Sequence, residues 1–183
     1  MPRLKYALLG LGAGLAASLS PALARDFTFE DYFTGKTVAE GRFSAINGVK
    51  RSFTVDLTGK WDGRLLILRE DFRFDDGSRD TKTWRFVKTG PKTYVGTRED
   101  VVGQAPVTLT GDTARFSYLV YLSPETQGNK VRFHDKMVLR PDGSVLNTAL
   151  VTKFGLPVAW TRVEFRKPEA ITHKHRPLHK AAK

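Results

Sequence analysis

Turn signals recur along this chain at nearly even spacing: Asn47-Gly48, Asp62-Gly63, Asp76-Gly77, Gly90-Pro91, Gly111-Asp112, Gly128-Asn129, Asp142-Gly143 and Gly155. Asx-Gly pairs favour tight hairpin turns, whose central residues need positive φ. Between the signals lie segments of strand length rich in Val, Phe, Thr, Leu and Tyr, and no amphipathic stretch of ten or more residues follows Gly35. The spacing predicts ten strands, at 37–46, 49–59, 64–74, 79–88, 92–98, 101–110, 113–122, 130–139, 144–153 and 156–166. Short connections make each strand antiparallel to the one before. Such a meander left open would expose two long edges and one bare apolar face, and closure removes both. The expected fold is therefore all-β, an antiparallel up-and-down β-barrel of eight to ten strands. A two-sheet sandwich competes, but its Greek-key crossings usually need longer connections.

Side-chain alternation identifies what such a barrel would hold. Phe53, Val55 and Leu57 share one face, as do Leu66, Leu68, Phe72 and Phe74, then Trp84 and Phe86, then Phe116, Tyr118, Val120 and Leu122. Two carboxylates fall in these apolar registers: Glu70 among the leucines and phenylalanines of the third strand, and Asp135 among Val131, Phe133, Met137 and Leu139. A carboxylate facing an apolar interior is costly unless it is paired, hydrogen-bonded or solvated in a cavity, so both mark a candidate site. Arg98, in register with Tyr94 and Gly96, and Arg162, beside Trp160, are the cations suited to meet them through a planar, permanently charged fork. In the last strand either face can be the inner one. A purely structural ion-pair network is the alternative meaning of these charges.

The ends read differently from the body. Arg3 and Lys5, an apolar run from Ala7 to Leu19 and the Ala22-Leu23-Ala24 triplet have the layout of a cleavable secretory signal over residues 1–24. The expected domain then spans 25–166, beginning with the aromatic Phe27–Phe33 piece. That piece suits one short helical turn or a segment packed across an opening. Cysteine is absent, so packing and strand pairing alone must hold an exported fold. Net charge is +11, and six Lys/Arg against Glu169 fall between Arg166 and Lys183. Residues 167–183 therefore read as a basic, disordered tail. His173, His175 and His179 there form H-x-H-x3-H, which suits a solvated tail better than a metal site. No thiol nucleophile, Ser-His-Asp set or phosphate-binding glycine loop is present, and no cofactor is expected. Aromatics that alternate into the core argue against nucleic acid as a partner.

The set Phe29-Glu-Asp-Tyr-Phe-Thr-Gly35, Lys50-Arg51-x-Phe53-x-Val55, Gly59-x-Trp61-x-Gly63, Glu70-x-Phe72-x-Phe74-Asp75-Asp76-Gly77, Asp100-Val-Val-Gly103 and Lys153-Phe-Gly155 resembles a family of uncharacterised proteobacterial envelope proteins, many of them lipoproteins. The resemblance covers Phe27 to Arg166. It implies a lipocalin-like (calycin-like) barrel in the cell envelope and transfers no activity. Members commonly carry an aspartate pair before Trp-Met where this chain has His134-Asp135-Lys136-Met137. Asp135 thus loses the acidic neighbour that a two-acid mechanism would use. The family's lipid-attachment cysteine is also missing, so the resemblance implies a periplasmic or secreted protein without a lipid anchor.

Together these features point to an exported barrel, expected to be monomeric, that binds a small hydrophobic or amphipathic, lipid-like ligand. Phe53, Leu68, Glu70, Phe72, Trp84, Arg98, Phe116, Tyr118, Phe133, Asp135 and Arg162 are the candidate cavity residues, and no residue is assigned a catalytic role. The basic tail would add weak contact with anionic lipid head groups. An enzyme using Glu70 or Asp135 as general acid/base, or a non-catalytic assembly factor with a filled interior, are the alternatives.

Overall fold

The computed structural model describes residues 26–123 and 128–168. A five-residue helix, α1 (Phe29–Phe33), precedes the strands β1 (Gly35–Ala45), β2 (Lys50–Trp61), β3 (Leu65–Phe74), β4 (Arg79–Gly90), β5 (Thr93–Thr97), β6 (Val101–Val102), β7 (Ala105–Thr110), β8 (Thr113–Ser123), β9 (Gly128–Leu139), β10 (Val145–Lys153) and β11 (Leu156–Arg166). All pairings are antiparallel, and the ring closes through β1–β11 and β8–β9. Ten strands form the barrel, in the up-and-down order that the hairpin spacing implies.

One expected strand is really two. The 101–110 segment breaks after Val102, where Gly103 takes φ +73°. Val102 pairs with Leu119 and Val107 with Phe116, so five steps on one side oppose three on the other. β6 therefore continues the line of β7 along the edge of β8 with an irregularity between them, and it adds no place to the ring.

The turns explain the register. Asp62 accepts backbone hydrogen bonds from Arg64 and Leu65 at 2.9 and 2.7 Å, and Asp142 accepts one from Ser144 at 2.9 Å. Each aspartate thus closes its own turn, while the glycine after it supplies the positive φ. Pairing then puts Ala39, Val55, Leu57, Leu66, Leu68, Trp84, Phe86, Tyr94, Val107, Tyr118, Met137, Val145 and Val163 into one core.

α1 closes one end. Thr28 caps it by accepting from the Asp31 amide at 3.3 Å, and its three aromatic side chains are buried. Phe29 stacks on Tyr94 at 5.1 Å and meets Phe86 edge-on at 4.9 Å. The Tyr32 hydroxyl donates to the Phe165 carbonyl at 2.9 Å, and the Phe27 amide donates to the Gly111 carbonyl at 3.0 Å. Glu30 receives hydrogen bonds from Lys88 and Tyr94. Burial opposes its charge, but those two partners outweigh it and hold the Glu30 carboxyl below its ordinary value. The helix thus seals the end carrying the β2–β3, β4–β5, β7–β8 and β9–β10 turns. The opposite end, with the β1–β2, β3–β4, β8–β9 and β10–β11 turns, has no such cover among the described residues.

The signal-like segment, residues 1–24, and the tail from Glu169 onward, with all three of its histidines, lie outside the described residues.

Candidate functional site

The barrel encloses a cavity of about 390 Å³, inside the ~300–1,000 Å³ range of small-molecule sites. Its floor is aromatic. Phe29 and Phe33 of α1 and Phe86 lie at the closed end, and Trp84, Phe116, Tyr118 and Phe133 continue up the wall. Trp84 stacks on Phe86 at 5.0 Å and meets Tyr118 edge-on at 5.0 Å, while Tyr118 lies parallel to Phe133 at 5.5 Å. Leu68, Phe53 and Phe72 complete the apolar lining.

A belt of charge crosses this wall at mid-height. Arg98, just beyond β5, grips Asp100 with two hydrogen bonds, from Nε at 2.7 Å and from Nη2 at 3.2 Å. Its guanidinium lies 4.6 Å above the Trp84 ring, and Nη1 stands 3.9 Å from a Glu70 oxygen. Lys82 reaches Asp100 from the mouth side at 3.3 Å. Burial opposes the Asp100 charge, but Arg98 and Lys82 prevail and hold its carboxyl below the usual range. Burial would also cost Arg98 its proton, yet Tyr118, Glu70 and Asp100 reverse the effect and tighten its hold.

Glu70 is the acid left over. Burial lifts its carboxyl to about 7, against the pull of Arg98, because that arginine is committed to Asp100. Across the cavity on β9, Asp135 is 6% exposed and burial lifts it to about 6. Asn147 of β10 donates its amide to Asp135 Oδ1 at 2.5 Å. The second Asp135 oxygen and the Asn147 carbonyl oxygen are buried without a well-formed hydrogen bond, although the Tyr118 hydroxyl stands near enough to Asp135 to favour its charge. Two buried acceptors so short of donors are expensive, and each is normally met by a protein, water or ligand donor.

Of the residues expected from sequence, Phe53, Leu68, Glu70, Phe72, Trp84, Arg98, Phe116, Tyr118, Phe133 and Asp135 all line this cavity. Arg162, expected at the cavity wall, does not line it. It is exposed on the outer wall, because β11 turns Ala159, Thr161, Val163 and Phe165 inward. Pairing sets that choice: Thr161 lies opposite Phe43, and Val163 opposite Gly41, on the inner side of β1. Polar groups beyond those expected from sequence also line the cavity, Asp100, Lys82 and Asn147 among them. Asp100 follows Arg98 by two residues in the turn that the Val101 amide closes on the Arg98 carbonyl at 3.0 Å, and it is this turn that brings the two side chains together. Lys82 is the cross-strand partner of Glu70. Asn147 shares its register with Val145, Ala149 and Val151, but the apolar Leu146 and Leu150 of the opposite face hid it.

The pH dependence of stability tests this electrostatic arrangement. Glu70 holds its proton more tightly in the folded state, about 7 against 4.5, so the unfolded chain loses that proton first. Stability should fall as pH rises between these values, by up to about 3 kcal/mol, with nothing further lost from this group above pH 7. Asp135 acts in the same sense between 3.8 and about 6. Glu70→Gln should remove the first contribution. Melting curves across pH 4–8 for both proteins would then diverge through the window, and parallel curves would contradict the burial of Glu70.

A closed β-barrel with a cavity of ligand size, aromatic at its base and charged at mid-height, defines the class: a small lipocalin-like barrel. The chain belongs to the family of proteins of unknown function DUF3833, whose model matches residues 17–167. No curated protein matches the sequence. Solved structures share the fold at low identity. An S-type phycobiliprotein lyase, CPES from Guillardia theta, superposes with a TM-score of 0.55 at 8% identity, covering 76% of this chain and 90% of its own. Rv2717c from M. tuberculosis gives 0.54 at 14% identity, with 74% and 92% covered.

Proposed function

We propose that this protein binds a small amphipathic ligand, its apolar part on the aromatic floor and its polar part at the Arg98–Glu70–Asp135 belt, and that it does so after export to the cell envelope. The cavity carries this reading. It is apolar where it is deepest, polar where two buried acceptors are short of donors, and of ligand size. Removing a chain-like tail from water would contribute about 25 cal/mol per Å² of apolar area buried. The signal-like N-terminus supports export.

Native mass spectrometry of protein purified from its own host should show an adduct of lipid-like mass that organic extraction removes. The extracted protein should then bind an environment-sensitive apolar dye, and Trp84→Ala should weaken that binding about tenfold or more. A bare polypeptide mass together with no dye binding would sink the proposal.

Glu70 and Asp135 support a second reading, since carboxyls near 7 and 6 are suited to proton transfer at neutral pH. If Asp135→Asn keeps dye affinity but abolishes conversion of the extracted ligand, catalysis replaces carriage as the function.

A further inference from the structure

Seven large hydrophobic side chains are exposed among the described residues: Ile46, Val49, Leu122, Leu150, Phe154, Leu156 and Trp160. Four of them belong to two turns at the uncovered end, β1–β2 (Ile46, Val49) and β10–β11 (Phe154, Leu156), and Leu122 lies near the end of β8 at the same rim. These turns are neighbours around the ring, because β2, β1, β11, β10, β9 and β8 follow one another in the sheet. The Ile46 amide donates to the Val158 carbonyl at 2.9 Å and ties the first turn to β11. Leu150 and Trp160, directly paired across β10 and β11, extend the apolar surface down the outer wall. Inside the same rim, Val131, Val151 and Ala159 form a second small apolar cluster with Phe43 and Phe133, so the lip is continuous with the cavity wall.

Phe154 shows that this lip is not an accident of folding. Lys153 pairs with Leu156, so Phe154-Gly155 is a two-residue hairpin loop, and both residues have positive φ, 52° and 81°. The first position of such a loop favours Asn, Asp or Gly, and a bulky side chain there is strained. Phe154 is 95% exposed, so packing within the chain offsets little of that strain. A residue that breaks a local rule without benefit to the fold points to a role outside it.

Charge selects the partner. Lys50, Lys130 and Lys153 stand among these side chains, and Lys153 lies over the Phe154 ring at 5.7 Å. The β1–β2 and β10–β11 turns include no acid; the acids described at this end lie on the β3–β5 side, Asp75 and Asp76 in the β3–β4 turn, where Arg51 engages Asp76 at 2.7 Å, Asp80 at the start of β4, and Glu99 and Asp100 just beyond β5. Apolar tips on separate turns, interleaved with long cationic side chains, match a bilayer with anionic head groups. The tips enter the acyl boundary while the lysines meet phosphates. A protein interface would instead need one packed apolar centre. We propose that this lip docks the open mouth of the barrel onto an anionic lipid membrane. The proposal does not depend on what the cavity holds.

Sedimentation with vesicles tests it on the full chain. Vesicles of phosphatidylglycerol and phosphatidylcholine in equal parts should bind the protein more tightly than pure phosphatidylcholine, and salt should weaken the binding. Ile46→Ser with Phe154→Asn and Leu156→Ser should lower affinity about tenfold or more, with the basic tail intact in both proteins. Phe154→Asn alone keeps the test readable if the triple variant unfolds: it should melt no lower than the parent, because Asn suits the turn, and still bind more weakly. Equal binding by parent and Phe154→Asn would overturn the proposal, as would absence of binding to either vesicle. A parent dimer that the substitutions dissociate, with vesicle binding unchanged, would assign the lip to a second copy instead. None of these outcomes bears on whether native mass spectrometry finds the expected ligand adduct.

Discussion

Arg98→Leu should cost the fold about 3–5 kcal/mol and lower its melting temperature by roughly 10 °C or more. Arg98 is the buried cation on which the barrel's inner charges depend: it holds Asp100 through two hydrogen bonds, stands closest to Glu70 and covers the Trp84 ring. Leucine fills part of the volume but leaves Asp100 buried with only Lys82, at 3.3 Å, to balance it. Glu70 and Asp135 lose their shared opposing cation at the same time. Combining Arg98→Leu with Asp100→Asn should recover a substantial part of the loss, since an uncompensated charge is costlier than a missing pair. Urea melts at pH 7 measure both. A loss below about 1 kcal/mol for the single variant would mean that the cavity is wet enough to solvate the acids without help.

Gly59→Val should be nearly as damaging for a different reason. A Cβ built at residue 59 lies 1.9 Å from the Phe33 carbonyl oxygen and 2.8 Å from its carbon. No rotamer relieves an overlap between a Cβ and backbone, so α1 must lift from the barrel end or the strand must bend. The expected cost is about 2–3 kcal/mol. Hydrogen exchange would separate these responses. Fast exchange confined to the amides of residues 27–34, with the strands still protected, means that the helix has lifted from an intact barrel.

The barrel was legible in the spacing of its turns because hairpin chemistry is local. An aspartate that caps its own turn and a glycine with positive φ declare themselves within four residues. The cavity wall was legible wherever one face of a strand was plainly apolar, as with Leu66, Leu68 and Phe72. It was not legible in β11, where Val158 and Trp160 on one face look as apolar as Ala159, Val163 and Phe165 on the other. There the facing is decided by hydrogen bonding to β1, more than a hundred residues away in sequence, and Arg162 follows it outward. The Val102–Ala105 break was hidden for a related reason: one glycine among strand-forming residues does not show how far the partner strand slips. Asp100 shows the reverse limit. Its proximity to Arg98 was local, but its burial depends on the whole ring closing around it.

α1 gives the barrel a bottom. A tube open at both ends can pass molecules through, whereas a cup must fill and empty by one opening. Whatever enters stops against Phe29 and leaves by retracing its path. Two occupants therefore cannot follow each other in a queue, and one must depart before the next is admitted. Under the proposed carrier function, transfer would be a sequence of complete visits, with its rate set at the rim.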